Sequence, residues 1–258
     1  MAAGTPILMY HELVVAGRSL CRVEEGYARY CIPETALGAQ LAWLQAQGIR
    51  GCNISQALEL DANASAVGIT FDDGCETDLL YAAPRLLDAQ FNATLFIVTT
   101  WVGQRGYLSP HQLRELRALG FELGAHSRTH AYLPGLDGAS LRSEIEQSKD
   151  ELEQWIGERI EHFSCPGGRW NREVSAVARE AGYRTVSTSR AGMHAPAADR
   201  FCLPRTAILS GMQATEFARI CHGDRQWLRE AETALLSGAK RVMGNSLYEN
   251  VRRVALNR

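Results

Sequence analysis

Val67-Gly68-Ile69-Thr70-Phe71-Asp72-Asp73-Gly74 decides the fold. Five residues from Val67 to Phe71 form an apolar, β-prone run with turn-forming residues beyond it, the signature of a buried strand. The run empties directly into two carboxylates. In parallel α/β folds the chemistry sits at the carboxyl ends of strands, so an Asp-Asp pair there marks a site as well as a strand end. Neighbouring side chains on a strand point to opposite faces. Gly74 is therefore expected to supply the turn that brings both acids to one place. Standing alone, the motif also reads as a simple Asp-Gly turn.

Working outward, the same grammar repeats. Strand candidates are Ile7–Tyr10, Val67–Phe71, Ala93–Val98, Phe121–Ala125, His162–Ser164, Thr185–Ser187 and Arg205–Ile208. Helical patterns lie between them. Leu37, Leu41 and Leu44 share a face, as do Leu79, Ala83, Leu86 and Leu87. The clearest helix runs from Ala139 to Ile156, with Leu141, Ile145, Ser148, Leu152 and Trp155 on one side. Glu144, Lys149, Asp150 and Glu153 fall on its polar side, and Gly157 is its expected stop. Strand–helix alternation argues for parallel strands covered by helices. No linker, repeat or low-complexity tract interrupts it. The expectation is one domain over residues 1–213, with residues 214–258 a C-terminal helical extension of it.

Composition agrees with a single globular core. The chain has 258 residues, 46% of them apolar and 22% charged. Area scaling allows a chain of this size to bury about 70% of its unfolded surface. The net charge of −2 argues against a dedicated nucleic-acid binder, which is usually basic. The longest apolar stretch, Ala93 to Val98, is far short of the ~20 residues of a membrane span. The N-terminus shows no basic segment followed by an apolar one, so a cytoplasmic location is expected. Seven cysteines (21, 31, 52, 75, 165, 202 and 221) include no C-x-x-C pair and read as reduced thiols. Residues 225–258 carry seven Lys or Arg against three Asp or Glu. Val242, Leu247, Val251 and Val254 could form a stripe there beside Arg241, Arg252 and Arg253. Such a basic amphipathic helix could touch an anionic membrane at its inner surface; a helix packed on the domain is the plainer reading.

Three further strand ends carry chemistry. His126-Ser127-Arg128-Thr129-His130 follows the fourth strand candidate. Two imidazoles at i and i+4 lie on one face of a helical turn, about 5–6 Å apart at Cβ, which suits chelation. With a strand-end Asp available, a two-His, one-Asp metal site is expected, its open positions left for water or substrate. Phe163-Ser164-Cys165-Pro166-Gly167-Gly168-Arg169-Trp170 exposes backbone N–H groups that could hold an oxyanion, or is an ordinary Pro-Gly turn. Tyr10-His11-Glu12 ends the first strand, and Leu203-Pro204-Arg205 begins a late one. From residue type alone, His11 reads as a core or surface histidine as well as a site residue, and a surface arginine is the usual reading of Arg205.

Taken together, the motifs resemble the polysaccharide deacetylases of the carbohydrate esterase 4, or NodB-homology, type. The resemblance rests on Thr70-Phe71-Asp72-Asp73-Gly74, His126-Ser127-x-x-His130 and Phe163-x-x-Pro166-x-Gly168, in that order. Leu8-Met9-Tyr10-His11, Ala93-Thr94-Leu95-Phe96, Ala181-Gly182-Tyr183 and Leu203-Pro204-Arg205 add to it, over residues 6–208. It implies a distorted (β/α) barrel of about seven parallel strands. It implies Asp72 as catalytic base, and Asp73, His126 and His130 as ligands of one divalent cation, zinc first, with cobalt, nickel or manganese as alternatives. It implies an oxyanion contact from the Gly167 N–H. The substrate implied is an N-acetylated carbohydrate (polysaccharide, oligosaccharide or glycolipid precursor) that loses acetate.

Two departures stand out. The family's arginine directly after the aromatic residue of the third motif is replaced by Ser164, and the late Leu-x-His motif is missing; Ile220-Cys221-His222 matches it poorly. Together with the early Tyr-His, these resemble the subgroup with permuted motifs among exopolysaccharide-modifying members. That resemblance implies His11 as general acid, with His194 and His222 in reserve, and Arg205 as the arginine that orients the base, with Arg169 second. Rival readings are an amidase of the same family acting on a non-polysaccharide substrate, a barrel that binds carbohydrate without turning it over, and a metal-dependent glycosyltransferase. The last leaves the paired histidines unexplained.

Overall fold

The computed structural model of the chain describes residues 4–61 and 64–224. Ten strands are present among them: β1 (Ile7–Tyr10), β2 (Leu13–Val14), β3 (Ile32–Pro33), β4 (Arg50–Cys52), β5 (Ala66–Asp73), β6 (Thr94–Ile97), β7 (Glu122–Ala125), β8 (His162–Ser164), β9 (Thr185–Ser187) and β10 (Thr206–Ala207). The main sheet runs β10-β1-β5-β6-β7-β8-β9, every pair parallel. It is an α/β distorted barrel. A lone parallel bridge between Ser187 and Leu203 draws the β9 edge toward the segment that leads into β10.

β5 is the axis of the sheet. All eight of its residues are buried, as expected where helices cover one face and barrel interior the other. Its first half pairs with β4, its second with β6, and β1 borders the opposite edge. β4 and the two-strand β2–β3 sheet were not among the expected strands. β5 also runs two residues further than its apolar core, through both aspartates, because Asp72 and Asp73 continue the ladder against Phe96 and Ile97.

The expected helical faces are largely buried. Leu37, Leu41 and Leu44 sit in the core on the Glu34–Ala46 helix. Leu79, Ala83 and Leu86 do the same, but Leu87 is exposed. A π-wound turn over Asp78–Ala82 precedes the α-helical Ala83–Asp88 and shifts the phase of the face. The long helix is continuous from Gly138 to Ile156, with π-winding over Ser143–Gln147. Gly157 ends it at φ 75°, a left-handed cap that glycine adopts without a Cβ clash. The Ala214–Cys221 helix buries Phe217, Ile220 and Cys221, and Phe217 packs edge-on against Trp43. The basic stripe from Val242 to Val254 lies outside the described residues. No helix among the described residues is long and apolar enough to cross a membrane.

Candidate metal centre and base

Asp72 and Asp73 converge, and the residue that turns the chain is Asp73 itself. Its φ is 83°, left-handed, and Gly74 follows at 77°. Ser127 and His130 are also left-handed, at 62° and 63°. Three of the four described non-glycine residues with positive φ thus lie in this one site, where strain is held by surrounding structure. The histidine pair differs from expectation in the same way. His126 and His130 stand on a loop, not a helical turn, because Ser127 reverses the backbone between them. Their rings still meet, with centroids 5.1 Å apart.

Three ligand atoms, one each from Asp73, His126 and His130, lie within 4.8 Å of one another. Asp73 Oδ1 is 3.6 Å from His126 Nε2 and 3.5 Å from His130 Nε2. It is buried and has no hydrogen-bond partner. These gaps are too long for good hydrogen bonds and are the spacing of donors around a shared cation. His126 Nδ1 lies 2.9 Å from the Ser164 carbonyl, which can only accept, so Nε2 keeps its lone pair for the centre. Burial pushes both histidines down, His130 to about 3, so both are neutral donors. Burial and the Asp72 charge push Asp73 up to about 7. A cation among these atoms would reverse that shift. The donor set of one carboxylate and two imidazoles suits zinc or a neighbouring transition metal.

Asp72 stands beside this triad and belongs to a different network. Arg205 grips it with two parallel bonds, Nη1 to Oδ1 at 2.7 Å and Nη2 to Oδ2 at 2.8 Å. The guanidinium also donates to Thr70 Oγ1, to Ser164 Oγ at 2.7 Å and to the Thr188 carbonyl. Thr70 and Asp72 are two apart on β5 and so share its inward face. Arg205 precedes β10, and its side chain is 0% exposed, rising through the barrel interior over the Phe96 ring. Burial alone would raise the Asp72 pKa; Arg205, with His126 and His11, outweighs it and holds the group well below the ordinary carboxylate range. The serine at position 164 is thus an acceptor for the arginine that faces the base. Arg169 stacks instead on Tyr132, 3.8 Å from its ring centre.

The remaining candidates separate clearly. His11 shares the centre, its charge felt by Asp72, His126 and Arg205, and burial pushes it down to about 4. His194 pairs through its backbone with Thr5, before β1 begins, at the opposite end of that strand from His11. His222 packs on Trp43 beyond the Ala214–Cys221 helix. Gly167 has φ 60° and is exposed. Gly168 and Arg169 donate back to Cys165 and Pro166, which leaves the Gly167 N–H outside the turn's own bonding. A Cβ there would come within 2.9 Å of the Tyr132 ring.

Glu144 was expected on a solvated helix face. It is 9% exposed. Its Oε2 accepts from the N–H groups of Arg128 and Thr129, at 3.0 and 2.9 Å, and its Oε1 accepts from the Thr129 hydroxyl at 2.6 Å. It therefore clamps the loop between the two histidines. The π-wound Ser143–Gln147 turn carries it there, and π-bulges are frequent at functional sites. Trp101 stacks on His130 with ring centroids 5.1 Å apart, and Arg22 lies over Trp101. Neither position carried a local motif.

Comparison with known proteins agrees with this fold. The family model for polysaccharide deacetylase matches residues 59–186. YxkH of Bacillus subtilis (strain 168), a polysaccharide deacetylase by name, is 28% identical over 220 residues, 83% of this chain and 75% of that protein. The peptidoglycan-N-acetylglucosamine deacetylase of Bacillus cereus is 35% identical over 132 residues, 50% of this chain and 58% of its own length. Among solved structures, the Streptococcus pyogenes deacetylase PplD in complex with acetate superposes with a TM-score of 0.74 at 23% identity, over 86% of this chain and 99% of that one; this likeness speaks for the fold. Residues 59–186 are a polysaccharide deacetylase domain of the NodB-homology type.

Proposed function

We propose that this chain hydrolyses the N-acetyl group of an amino sugar carried in a polysaccharide, oligosaccharide or glycolipid precursor, releasing acetate and a free amine. The observation that carries the reading is the pairing of a cation-ready triad, Asp73, His126 and His130, with a separate carboxylate that an arginine keeps ionised. Asp73, His126 and His130 would hold one divalent cation, zinc first. Such an ion, when bound, lowers the pKa of water toward about 7 and polarises the acetamide carbonyl.

The chain's own groups divide the rest. Asp72 accepts the proton of the attacking water. Its bidentate partner fixes the carboxylate plane and keeps it charged, at the cost of some basicity. The Gly167 N–H faces the developing oxyanion; one such donor is typically worth about 3 kcal/mol. The departing amine needs a proton, since an amide anion is a very poor leaving group. Of His11, His194 and His222, His11 is the one whose charge bears on Asp72. It is neutral at rest, so it relays a proton and does not store one: the proton that Asp72 takes from the water passes through His11 to the departing amine. The Arg205 contact also weighs against a barrel that only binds sugar, since a buried arginine aligned on a carboxylate serves no binding surface.

Acetate release from N-acetylglucosamine oligomers tests the proposal, with protein stripped of metal and then reloaded with zinc. The expected result is release that chelation abolishes and zinc restores. Absence of acetate with every N-acetylated sugar and every metal offered would overturn it.

A further inference from the structure

A second set of donor atoms includes Cys75, two residues beyond Asp73. The Glu12 carboxylate and the sulfurs of Cys21 and Cys75 lie within 4.8 Å of one another. They come from three separate segments: the turn after β1, the stretch after β2, and the residue behind Gly74. Glu12 is 1% and Cys75 0% exposed. The carboxylate is already aimed. It accepts from the Cys21 N–H at 2.8 and 3.1 Å and from the Tyr27 hydroxyl at 3.0 Å. That hydroxyl also lies 3.5 Å from Cys75 Sγ, and Cys21 Sγ is 3.1 Å from the Gly106 carbonyl.

An independent feature points the same way. Asp78 is 0% exposed, and neither of its carboxylate oxygens has a hydrogen-bond partner. It stands three residues after Cys75, at the start of the Asp78–Ala82 turn. The buried Glu12 carboxylate and Cys75 thiol, beside the half-buried Cys21 sulfur, need either protons or a cation to be tolerated. Arg18 pairs with Glu76 at 2.7 Å and reaches the Gly106 carbonyl at 3.5 Å, so its charge sits at the edge of the cluster and is shared with Glu76.

We infer that Glu12, Cys21 and Cys75 form a second, structural cation site, distinct from the Asp73–His126–His130 centre. Sulfur ligands with one carboxylate select zinc-class ions over magnesium or calcium. The Gly106 carbonyl, 3.1 Å from Cys21 Sγ, offers a fourth, oxygen donor toward the closed set of a structural site. Each thiol gives up its proton as the metal–sulfur bond forms, so binding releases two protons per ion. The ion would tie the segment bearing Arg22 to the strand end bearing Asp73 and to the loop at Gly106. That bond braces the rim on which Trp101 and His130 stack.

The test is titration of the full-length, reduced, metal-depleted protein with cobalt(II) alone. Thiolate ligation gives a near-ultraviolet sulfur-to-cobalt charge-transfer band, which oxygen and nitrogen donors do not. The expected result is two cobalt ions per chain and a clear band. Cys21→Ser and Cys75→Ser each lose the band and bind one ion. His130→Ala and Cys202→Ser keep it. Saturation of the parent at one cobalt with no band overturns the inference, as does a band that survives both Cys21→Ser and Cys75→Ser. The readout needs no turnover, so it stands or falls apart from the proposed activity.

Discussion

Replacing Arg205 with methionine keeps most of the side chain's length and removes its charge. Five donated bonds disappear with it: two to Asp72 and one each to Thr70, Ser164 and Thr188. Asp72 stays buried, with the Ser164 hydroxyl at 3.4 Å as its remaining donor. Removing one member of a buried ion pair costs about 3–5 kcal/mol, because the other charge is left uncompensated. For a domain of this size each kcal/mol moves the melting temperature by about 2–4 °C, so a fall of about 10 °C is expected. The pKa of Asp72 rises at the same time, since burial is then unopposed. The acid limb of the acetate-release profile should move to higher pH, and turnover should fall steeply. Ser164 Oγ already lies 2.7 Å from the guanidinium. An arginine introduced at position 164 should therefore reach Asp72 from the rim, and Arg205→Met with Ser164→Arg should recover part of both losses. A single variant that melts within about 2 °C of the parent, with an unchanged profile, would refute the reasoning, because it would put the pair below about 1 kcal/mol.

Asp72→Asn should abolish acetate release yet leave metal content unchanged, whereas His130→Ala should cut zinc affinity sharply; elemental analysis beside the acetate assay separates the two roles. Glu144→Ala removes three bonds that hold the loop between the histidines, and a roughly 10–100-fold loss in zinc affinity is expected by competition titration. Unchanged affinity would reduce Glu144 to a packing residue. At the opposite end of the barrel, burial would raise the Glu122 pKa, but His162, with Ser55 and Thr94, outweighs it and holds the group at about 2. The folded pKa lies below the unfolded value of about 4.3, so the stabilisation is complete above that value and is lost as pH falls toward about 2. It amounts to about 2–3 kcal/mol. Glu122→Gln should therefore be less stable than the parent at neutral pH and close to it near pH 2 in urea melts; an equal gap at both pH values would contradict the assignment.

The strands of the barrel were legible because each is a short apolar run closed by turn residues, and a parallel strand buried on both faces has to read that way. Arg50-Gly51-Cys52 offers no such run, and its pairing with β5 depends on tertiary contact alone. Asp72, Asp73, His126 and His130 could be read because each pair falls within five residues at or just after one strand end. What holds them could not be read from spacing. Arg205 is 133 residues from Asp72, and only family resemblance singled it out. Glu144 falls on the polar face of an ideal helix, and the π-wound turn that rotates it inward left no mark on the hydrophobic period. The Cys21–Cys75 juxtaposition likewise comes from chain topology, with no local metal motif on either side.

The central claim is one cation held by Asp73, His126 and His130 beside an acid that does not bind it. A crystal structure of zinc-loaded protein, with anomalous scattering at the zinc edge, tests this directly. A peak bonded to Asp73 and to Nε2 of both histidines, with Asp72 still paired to Arg205, is the predicted result. A zinc ion ligated by Asp72, or density showing the three side chains turned apart with no ion among them, would contradict the account.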